Sequence, residues 1–348
     1  MISVVSVSSS EAGEKFTGHD QWGLNPNHRS LQSSRFHVSY RPVKQSLIKP
    51  QALRAGDAIG IAAPASPFDR EAFERGVAVL ESAGYRVKIP EGLFSRKGYL
   101  AGSDSERASQ LTKLFEDESV KAILCARGGF GSMKLLPLLD FETICAHPKI
   151  LVGYSDITAL LVAVYTRCGM VTFHGPLVTS LATGSEKTRT ALIDAVGSNR
   201  PLEFKPTKPV VLNRGRASGP VVGGNLTSIC HLLGTPYEPR FEGHVLFLED
   251  RGEAPYRIDR MLSQLRLGGY LDGVAGVILG SFQDCGPLED VCAIAKEAFR
   301  HTGVPVLAGF DLGHGTDNLT VPIGLEADMD TEDGSLRFQE PATYEDKS

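Results

Sequence analysis

The sequence predicts an α/β fold with two domains, a parallel sheet covered by helices on both faces and an α+β domain after it. From Leu53 onward, short apolar runs alternate with segments of helical spacing, a pattern typical of parallel strands joined by helices. After residue 210, short strands separated by glycine-rich turns replace this alternation. The chain has 348 residues, of which 42% are hydrophobic and 22% charged, so it is long enough to build a core for each domain.

The first domain is predicted from strands and helices that follow each other in turn. Its strands are short apolar runs bounded by turn residues, and its helices carry apolar residues at intervals of three and four. The first helix is expected to stop at Gly84, since glycine is common just past a helix end. We expect strands at 58–64, 85–89, 122–125 and 150–153, and helices at 68–83, 103–115, 132–139 and 159–168.

A polar connection separates the second domain from the first. Residues 183–200 predict a surface helix, and 201–209 carry three prolines, as a connection between domains would. We therefore place the first domain at 50–182, a linker at 183–209 and the second domain at 210–342. The second domain is expected to contain strands at 221–225, 244–248 and 274–280, helices at 254–267 and 288–302, and a hairpin that turns at 332–334.

Composition argues against several classes of partner. The formal net charge of −5 argues against nucleic acid and anionic membranes, because either would favour a basic face. Residues 1–49 are rich in Ser, Asn, Gln, His and Arg without a sustained apolar period, which predicts a disordered N-terminal extension with no export signal. No later run approaches the ~18 apolar residues of a membrane span.

The six cysteines predict a reducing environment. They lie mostly beside apolar residues and form no C-x-x-C pair, so neither a zinc site nor a redox motif is indicated. We expect reduced core residues and hence a cytoplasmic chain, and no motif indicates a metal or another cofactor. The six are Cys125, Cys145, Cys168, Cys230, Cys285 and Cys292.

The chain turns abruptly from an apolar strand into a helix in the segment G-Y-S-D-I-T at 153–158. Such a turn leaves its central residue above the sheet, beside helix N–H groups that have no partner. Ser155 is therefore a candidate nucleophile. The alternative is that Ser155 or Asp156 only caps the helix, since both are common N-cap residues.

Three loops follow the carboxyl ends of predicted parallel strands, where such sheets bind ligands. They lie at 63–66, 127–131 and 154–156. The glycine loop among them, R-G-G-F-G, lacks the G-x-G-x-x-G order and a Walker lysine, so nucleotide binding is not indicated. Backbone N–H groups of Gly128 or Gly129, together with that of Asp156, would form an oxyanion hole. A tight turn that needs positive φ explains the glycines equally well, and both interpretations can hold.

A serine nucleophile needs a base, and the base needs an acceptor that orients it. Among nine histidines, the main candidates are His314, which lies between two glycines in a loop, and His174, which fits better as a wall of the pocket. Glu249 ends a predicted strand and is the candidate acceptor. Asp250 and Glu253 are its rivals, and each of these carboxylates also fits a solvated or helix-capping role.

Seven motifs stand in a fixed order between about Leu53 and Gln339. They are G-D-A-I-G-I-A-A-P-A-S-P at 56–67, A-R-G-G-F-G at 126–131, G-Y-S-D-I-T-A-L at 153–160, F-H-G-P at 173–176, G-G-N-L at 223–226, L-E-D at 248–250 followed by P-Y-R-I-D-R-M-L at 255–262, and G-H-G at 313–315. This set resembles the LD-carboxypeptidase family, the S66 serine peptidases. The resemblance implies that Ser155 is the nucleophile and that Glu249 and His314 complete a triad.

The resemblance also implies a flavodoxin-like N-terminal domain, a smaller swivelling β/α domain and a site in the cleft between them. The implied reaction is release of the terminal D-alanine from murein tetrapeptides in peptidoglycan recycling, by a cytoplasmic homodimer. Ile157 stands where the hydrolase motif G-x-S-x-G has its second glycine, which argues for a separate fold that converged on this turn.

A carboxypeptidase must bind the free terminal carboxylate of its substrate. Arg127 is a candidate for this role, and the alternative is that it pairs with a nearby carboxylate of the protein. Asn225, Tyr256 and His174 are further candidates for the pocket.

Two other functions remain open from the sequence. The first is a microcin-immunity-type peptidase that cleaves peptidyl or acyl-sulfamoyl nucleotides; such enzymes tend to carry extra sequence around the site, whereas the matched region here is compact. The second is a non-catalytic ligand-binding protein of the same fold. Failure of a serine-directed probe to label Ser155 would favour the second.

Overall fold

The computed structural model describes residues 47–345, which form two β-sheets joined and covered by helices. The strands are β1 (Ala58–Ala62), β2 (Arg86–Lys88), β3 (Val120–Cys125), β4 (Ile150–Gly153), β5 (Thr172–His174), β6 (Glu203–Phe204), β7 (Val210–Asn213), β8 (Arg216–Asn225), β9 (Val245–Arg251), β10 (Gly276–Gln283), β11 (Val306–Ala308), β12 (Val321–Ile323), β13 (Glu326–Asp330) and β14 (Ser335–Phe338). The α-helices are α1 (Arg70–Ser82), α2 (Asp104–Glu116), α3 (Phe141–Ala146), α4 (Thr158–Cys168), α5 (Val178–Leu181), α6 (Glu186–Gly197), α7 (Leu226–Leu232), α8 (Pro255–Leu267) and α9 (Leu288–Phe299).

Local sequence explains several helix bounds. α2 begins with a capping box, in which Ser103 Oγ accepts from the Glu106 N–H and the Glu106 carboxylate accepts from the Ser103 N–H. The helix predicted at 132–139 is a short 3-10 helix, Ser132–Leu138, and not an α-helix. Pro137 is the physical reason, because it has no N–H to donate and its ring clashes with the preceding turn of an α-helix.

The first sheet has the strand order β12-β5-β4-β3-β1-β2, and β1 to β5 pair in parallel. All five residues of β1 are buried, as expected for a central strand covered on both faces. Ile59 and Ile61 belong to one apolar cluster with side chains of α1 and α6, whereas Ala62 belongs to another with side chains of α2 and α4. The predicted parallel sheet between two helical layers is confirmed.

The second sheet has the order β6-β14-β13-β8-β9-β10-β11-β7. Its central strands β8 to β11 pair in parallel, and the flanking strands pair antiparallel. The predicted hairpin is present as β13 and β14. Four short strands were not predicted from the sequence, namely β6, β7, β11 and β12. Runs of two to four residues show too little periodicity to be recognised as strands.

The chain returns from the second sheet to the first. β12 comes from the C-terminal part of the sequence but pairs antiparallel with β5 at the edge of the first sheet. α6, within the predicted linker, buries Leu192, Ala195 and Val196 against the first sheet. Ile48, within the predicted extension, bridges to Met170, whereas residues 1–46 lie outside the described residues. The domain bounds given above stay predictions.

Two of the six cysteines contradict the prediction of reduced core residues. Cys145 near the end of α3 and Cys168 at the end of α4 form a disulfide, and the two helices pack against each other. Their separation of 23 residues carries no sequence signal for this pairing. The other four cysteines are free and buried, as predicted.

Across residues 47–345, no helix combines the length and the apolar character that crossing a membrane requires. Within the same residues, no group of three or more His, Cys, Asp or Glu side chains is arranged to hold a metal ion.

Candidate active site

Ser155 lies in a strained turn directly after β4. Its φ is +64°, one of only two positive values among the described residues other than glycine. Left-handed backbone at such a residue is unfavourable and is often found at functional turns. The side chain is half-buried, and the chain continues through the short 3-10 helix Ser155–Ile157 into α4. This is the geometry of a nucleophile on a strand-to-helix turn.

The capping alternative is not supported by the hydrogen bonds of this turn. The N-cap residues are Tyr154 for the 3-10 helix and Ile157 for α4, and neither helix start has a side-chain cap hydrogen bond. Asp156 instead uses its carboxylate in the neighbouring glycine loop, where Oδ2 accepts the Ser132 N–H at 2.8 Å.

The glycine loop lies against Ser155. A Cβ placed on Gly128 would lie 2.9 Å from Ser155 Cβ and 3.2 Å from Ser155 Oγ, so only glycine allows this approach without a shift. Gly129 and Gly131 have φ values of +102° and +134°, so the tight-turn interpretation of the loop also holds. The structure therefore brings together Ser155, Asp156 and the two glycines of the predicted oxyanion hole.

Hydrogen bonds join the three loops that sequence analysis placed at one sheet edge. The Ser66 N–H donates to the Gly128 carbonyl at 3.2 Å, and Ser66 Oγ accepts the Phe130 N–H at 3.1 Å. The Asp156 contact with Ser132 joins the glycine loop to the serine turn. The predicted convergence of these loops is therefore present.

Arg107, a buried arginine that the sequence analysis did not identify, is hydrogen-bonded to the glycine loop. Arg107 on α2 is 1% exposed, and its Nη1 donates to the Gly131 carbonyl at 3.0 Å and to the Pro64 carbonyl. Its Nη2 pairs with Asp104. Its burial could have been predicted from the sequence, because Arg107 lies on the same helix face as the apolar residue Leu111 four positions later.

Glu249 and His314 form a buried pair from the second sheet. Glu249 lies within β9, which continues to Arg251 beyond the predicted strand end, and its side chain is 0% exposed. Its Oε2 lies 2.7 Å from His314 Nδ1 and also accepts the His314 N–H at 3.1 Å. A Cβ on Gly313 would overlap Glu249 Oε2, so glycine is needed for the loop to approach the acid this closely.

The ring of His314 lies beside the serine turn. It packs edge-on against Tyr154, the residue before Ser155, with ring centroids 4.7 Å apart. The His314 side chain is 10% exposed, and because Nδ1 is bound to Glu249, Nε2 is the nitrogen left for another partner. The arrangement thus places an oriented imidazole against the residue that precedes the strained serine.

Glu249 is held in its ionised form. Burial alone raises the pKa of a carboxyl group, but the neighbouring His174 and the hydrogen bond from His314 outweigh burial and lower the pKa of Glu249 to about 2. Burial, together with the negative charge of Glu249, raises the pKa of Tyr154 to about 12. The charge at the centre of this site is therefore the carboxylate of Glu249.

The rival carboxylates have other partners. Asp250 Oδ2 accepts from the N–H and the hydroxyl of Thr227, and Oδ1 accepts from Asn225 Nδ2 at 2.9 Å. Burial raises the pKa of Asp250. Glu253 pairs with Arg257 at 3.3 Å near the surface. Neither is the partner of His314.

The candidate pocket residues differ in accessibility. Asn225 is 6% exposed, and its Oδ1 caps α7 by accepting the Ser228 N–H, so most of its amide is used within the protein. Tyr256 is 59% exposed at the start of α8. Arg127 is exposed beside Gly128 and donates to the Pro67 carbonyl at 2.6 Å, and among residues 47–345 it pairs with no carboxylate.

His174 is completely buried, unlike a residue at a pocket surface. It is the last residue of β5, not a residue after the strand, and its Nε2 lies 3.8 Å from Glu249 Oε1. It therefore belongs to the side of Glu249 that faces away from His314.

Both parts of the chain match models of one protein family. The model of the LD-carboxypeptidase N-terminal domain matches residues 59–175, and that of the LD-carboxypeptidase C-terminal domain matches residues 218–329. A probable murein peptide carboxypeptidase of Bacillus subtilis is 40% identical over 297 residues, which cover 81% of this chain and 92% of the relative.

Two solved structures have the same fold. A MccF-like protein from Bacillus anthracis superposes with a TM-score of 0.80 at 29% identity, over 84% of this chain and 99% of its own. A muramoyltetrapeptide carboxypeptidase from Oxalobacter formigenes has a TM-score of 0.73 at 30% identity, over 81% and 97% of the two chains. The chain thus belongs to the LD-carboxypeptidase family of serine peptidases, peptidase family S66.

Proposed function

We propose that this serine carboxypeptidase releases the terminal D-alanine from murein tetrapeptides through a triad of Ser155, His314 and Glu249. The observation that carries the proposal is the 2.7 Å contact between a fully buried Glu249 and His314 Nδ1. The His314 ring packs against Tyr154, which precedes a serine with φ of +64°. A nucleophile, a base and a group that orients the base are the parts that acyl transfer requires.

In the first step, His314 Nε2 takes the hydroxyl proton of Ser155 as Oγ attacks the penultimate carbonyl of the substrate. Glu249 fixes the tautomer of His314, because Nδ1 must carry the proton that its carboxylate accepts, and it stabilises the imidazolium that forms. His314 then donates the proton to the departing amine of D-alanine. The tripeptide remains as an ester on Ser155, and a water molecule activated by His314 releases it.

The negative charge that develops on the carbonyl oxygen needs donors that are already in place. The N–H groups of Asp156 and of Gly128 or Gly129 are proposed for this role. The contact between Gly128 and Ser155 supports it, and so do the two hydrogen bonds that fix the peptide between Gly131 and Ser132 from opposite sides.

Recognition of the substrate's terminal carboxylate is assigned to Arg127. Arg127 is exposed, directly precedes Gly128 in the chain, and its guanidinium is anchored by one hydrogen bond to the Pro67 carbonyl. An arginine offers two parallel N–H donors to a carboxylate, which suits an exopeptidase. Tyr256, Asn225 and His174 were predicted to help form the pocket, and of these only Tyr256 is well exposed.

A second candidate is a peptidase of the microcin-immunity type, acting on peptidyl or acyl-sulfamoyl nucleotides. The observation that favours it is the TM-score of 0.80 to the MccF-like protein. The murein substrate is preferred because the Bacillus subtilis relative named as a probable murein peptide carboxypeptidase is 40% identical. Both candidates use the same triad and differ in the leaving group.

The direct test measures D-alanine release from a murein tetrapeptide by the wild type and by Ser155→Ala. The variant should lose on the order of 10⁴-fold or more in turnover, because it has no nucleophile. Retained activity in Ser155→Ala would contradict the triad. A wild type that is inert on the tetrapeptide but labelled at Ser155 by a fluorophosphonate would indicate the microcin type, whereas one that is neither active nor labelled would indicate a ligand-binding protein.

A cytoplasmic homodimer in peptidoglycan recycling completes the proposal. The disulfide between Cys145 and Cys168 weakens the cysteine argument for this location, which then depends on the resemblance. Sedimentation of the purified protein tests the homodimer directly, with a species of twice 37.5 kDa expected.

A further inference from the structure

The two oxygens of Glu249 have different surroundings. Oε2 is bound twice by His314, through Nδ1 and through the backbone N–H. Oε1 is buried and accepts no hydrogen bond from any of residues 47–345. The polar group that faces it is His174, whose Nε2 lies 3.8 Å away.

His174 is placed where an apolar side chain would be expected. It is 0% exposed, and its ring packs edge-on against Phe247 at 4.9 Å and near Tyr154 at 6.0 Å. Neither ring nitrogen has a hydrogen-bond partner within the described part of the chain. Burying an imidazole without such partners is unfavourable relative to a phenyl ring of similar size, because its polar nitrogens lose their hydrogen bonds to water. Apolar packing alone, for which a phenylalanine would serve better, does not explain why a histidine occupies this position.

The charges around His174 identify the group on which it acts. The titratable residues in contact with His174 are Glu249 on β9 and Tyr154 after β4. Asp250 and His314 interact with Glu249, and Arg251 interacts with Tyr154. Asp250 is occupied by Thr227 and Asn225, and Tyr154 is neutral because its pKa is raised to about 12. Glu249 is therefore the anion that His174 faces.

We propose that His174 is a positioning residue, which holds Oε1 of Glu249 and thereby keeps the acid ionised and its Oε2 directed at His314. This inference rests on the proposed function, in which Glu249 orients His314. A distance of 3.8 Å is longer than a hydrogen bond, but a buried carboxylate attracts an N–H group that faces it more strongly than it would in water. Donation to Oε1 requires only a small shift of either side chain.

The arrangement connects the two sheets through the acid. Ser155 follows β4, and His174 is the last residue of β5, the neighbouring strand of the first sheet. Glu249 lies on β9 of the second sheet, and His314 lies in one of the loops of that sheet. His174 of the first sheet therefore faces Oε1 of Glu249, and His314 binds Oε2. The His314 ring in turn packs against Tyr154, which precedes Ser155 in the first sheet's serine turn. A correctly docked pair of sheets is then needed for the acid to be both charged and oriented.

The test compares two substitutions at His174 with the wild type. His174→Phe keeps the ring volume and the contact with Phe247 but has no donor. His174→Gln has an amide nitrogen at the same number of bonds from Cβ as Nε2, so it restores donation to Oε1. Turnover of the murein tetrapeptide and the rate at which a fluorophosphonate labels Ser155 are measured for each, with thermal unfolding as the check on folding.

We expect His174→Phe to lower kcat about 10- to 100-fold with KM within about twofold. Losses of this size are found when the hydrogen-bond partners that orient metal ligands are removed from other enzymes. The labelling rate should fall in parallel, and His174→Gln should recover most of both. If His174→Phe does not fold, His174→Leu takes its place in the comparison with His174→Gln.

A folded phenylalanine or leucine variant with wild-type kcat and labelling rate would overturn the inference, and so would a glutamine variant no better than the apolar one. Failure of the proposed function is distinguishable, because it would appear as a wild type inert on the tetrapeptide. The labelling comparison would still test His174 in that case.

Discussion

The two sheets contribute different kinds of feature to the candidate site. The first sheet supplies backbone geometry: the turn at Ser155 and the glycine loop that lies against it. The second supplies a buried charge, Glu249, and the imidazole that it orients, from residues 65 positions apart. The serine turn is therefore a local property of a few residues, whereas the acid and base depend on the whole second sheet. Changes on the two sides should have separable effects.

Among changes that leave Ser155 in place, the largest effect is expected on the second sheet, at Glu249. Glu249→Gln keeps the shape of the side chain but allows it to stabilise the wrong tautomer of His314 and removes the charge that supports an imidazolium. We expect kcat to fall about 10³- to 10⁴-fold. Steady-state turnover of the tetrapeptide measures this, and the matched control is Glu253→Gln, which removes a surface pair and should leave kcat unchanged. Equal losses in both variants would contradict the assignment of Glu249.

The Glu249 substitution should also change how stability depends on pH. The pKa of Glu249 is lowered to about 2 in the folded protein, below its ordinary value near 4.5. Its charge therefore contributes stability that is fully present above about pH 4.5 and is lost as the pH falls toward 2. Thermal unfolding between these limits should show a steeper loss for the wild type than for Glu249→Gln. Parallel curves would contradict an ionised, buried Glu249.

A smaller effect is expected on the first sheet, at Gly128. Gly128→Ala would bring a Cβ to 2.9 Å from Ser155 Cβ and displace the proposed oxyanion donors. The loss of one such donor typically lowers kcat about 10²- to 10³-fold, with little change in overall stability. Gly98→Ala is the control, because its Cβ would meet no atom within 4 Å. The control should lose some stability from its φ of +61° but no activity.

The smallest effect on turnover is expected beneath the glycine loop, at Arg107. Arg107→Met removes the donors to the Gly131 and Pro64 carbonyls. We expect a loss of about 3 kcal/mol in the free energy of unfolding and roughly tenfold in kcat, since charged hydrogen bonds are each worth about 1.5–3 kcal/mol. Denaturant unfolding and turnover measure the two losses. Arg75→Met, which breaks only an exposed pair with Glu71, should be close to neutral.

Sequence reasoning recovered the local features and missed those that depend on tertiary contacts. The turn at Ser155 and the parallel sheet were predictable, because strand, turn and helix signals lie within a few residues of each other. The family resemblance selected Glu249 and His314, whereas spacing alone left Asp250 and Glu253 as rivals. The disulfide, the β12 strand and the carbonyls bound by Arg107 join segments far apart in sequence, so no local pattern indicated them.

His174 shows the same limit from the other direction. The sequence suggested that His174 is a wall of the pocket. Its burial and its approach to Glu249 arise only when the second sheet packs against the first. Sequence alone therefore could not distinguish a residue of the pocket wall from one that faces Oε1 of Glu249, because the difference depends on how the two sheets pack.

The central claim is that a serine on the first sheet is activated by an acid and base pair on the second. Its most direct test is the rate at which a fluorophosphonate modifies Ser155, located by mass spectrometry, in the wild type, Glu249→Gln and His314→Ala. We predict a single modification at Ser155 in the wild type and labelling slower by about 10³-fold or more in both variants, as the nucleophile depends on its base. Labelling of Ser155 at the wild-type rate in either folded variant would contradict the account.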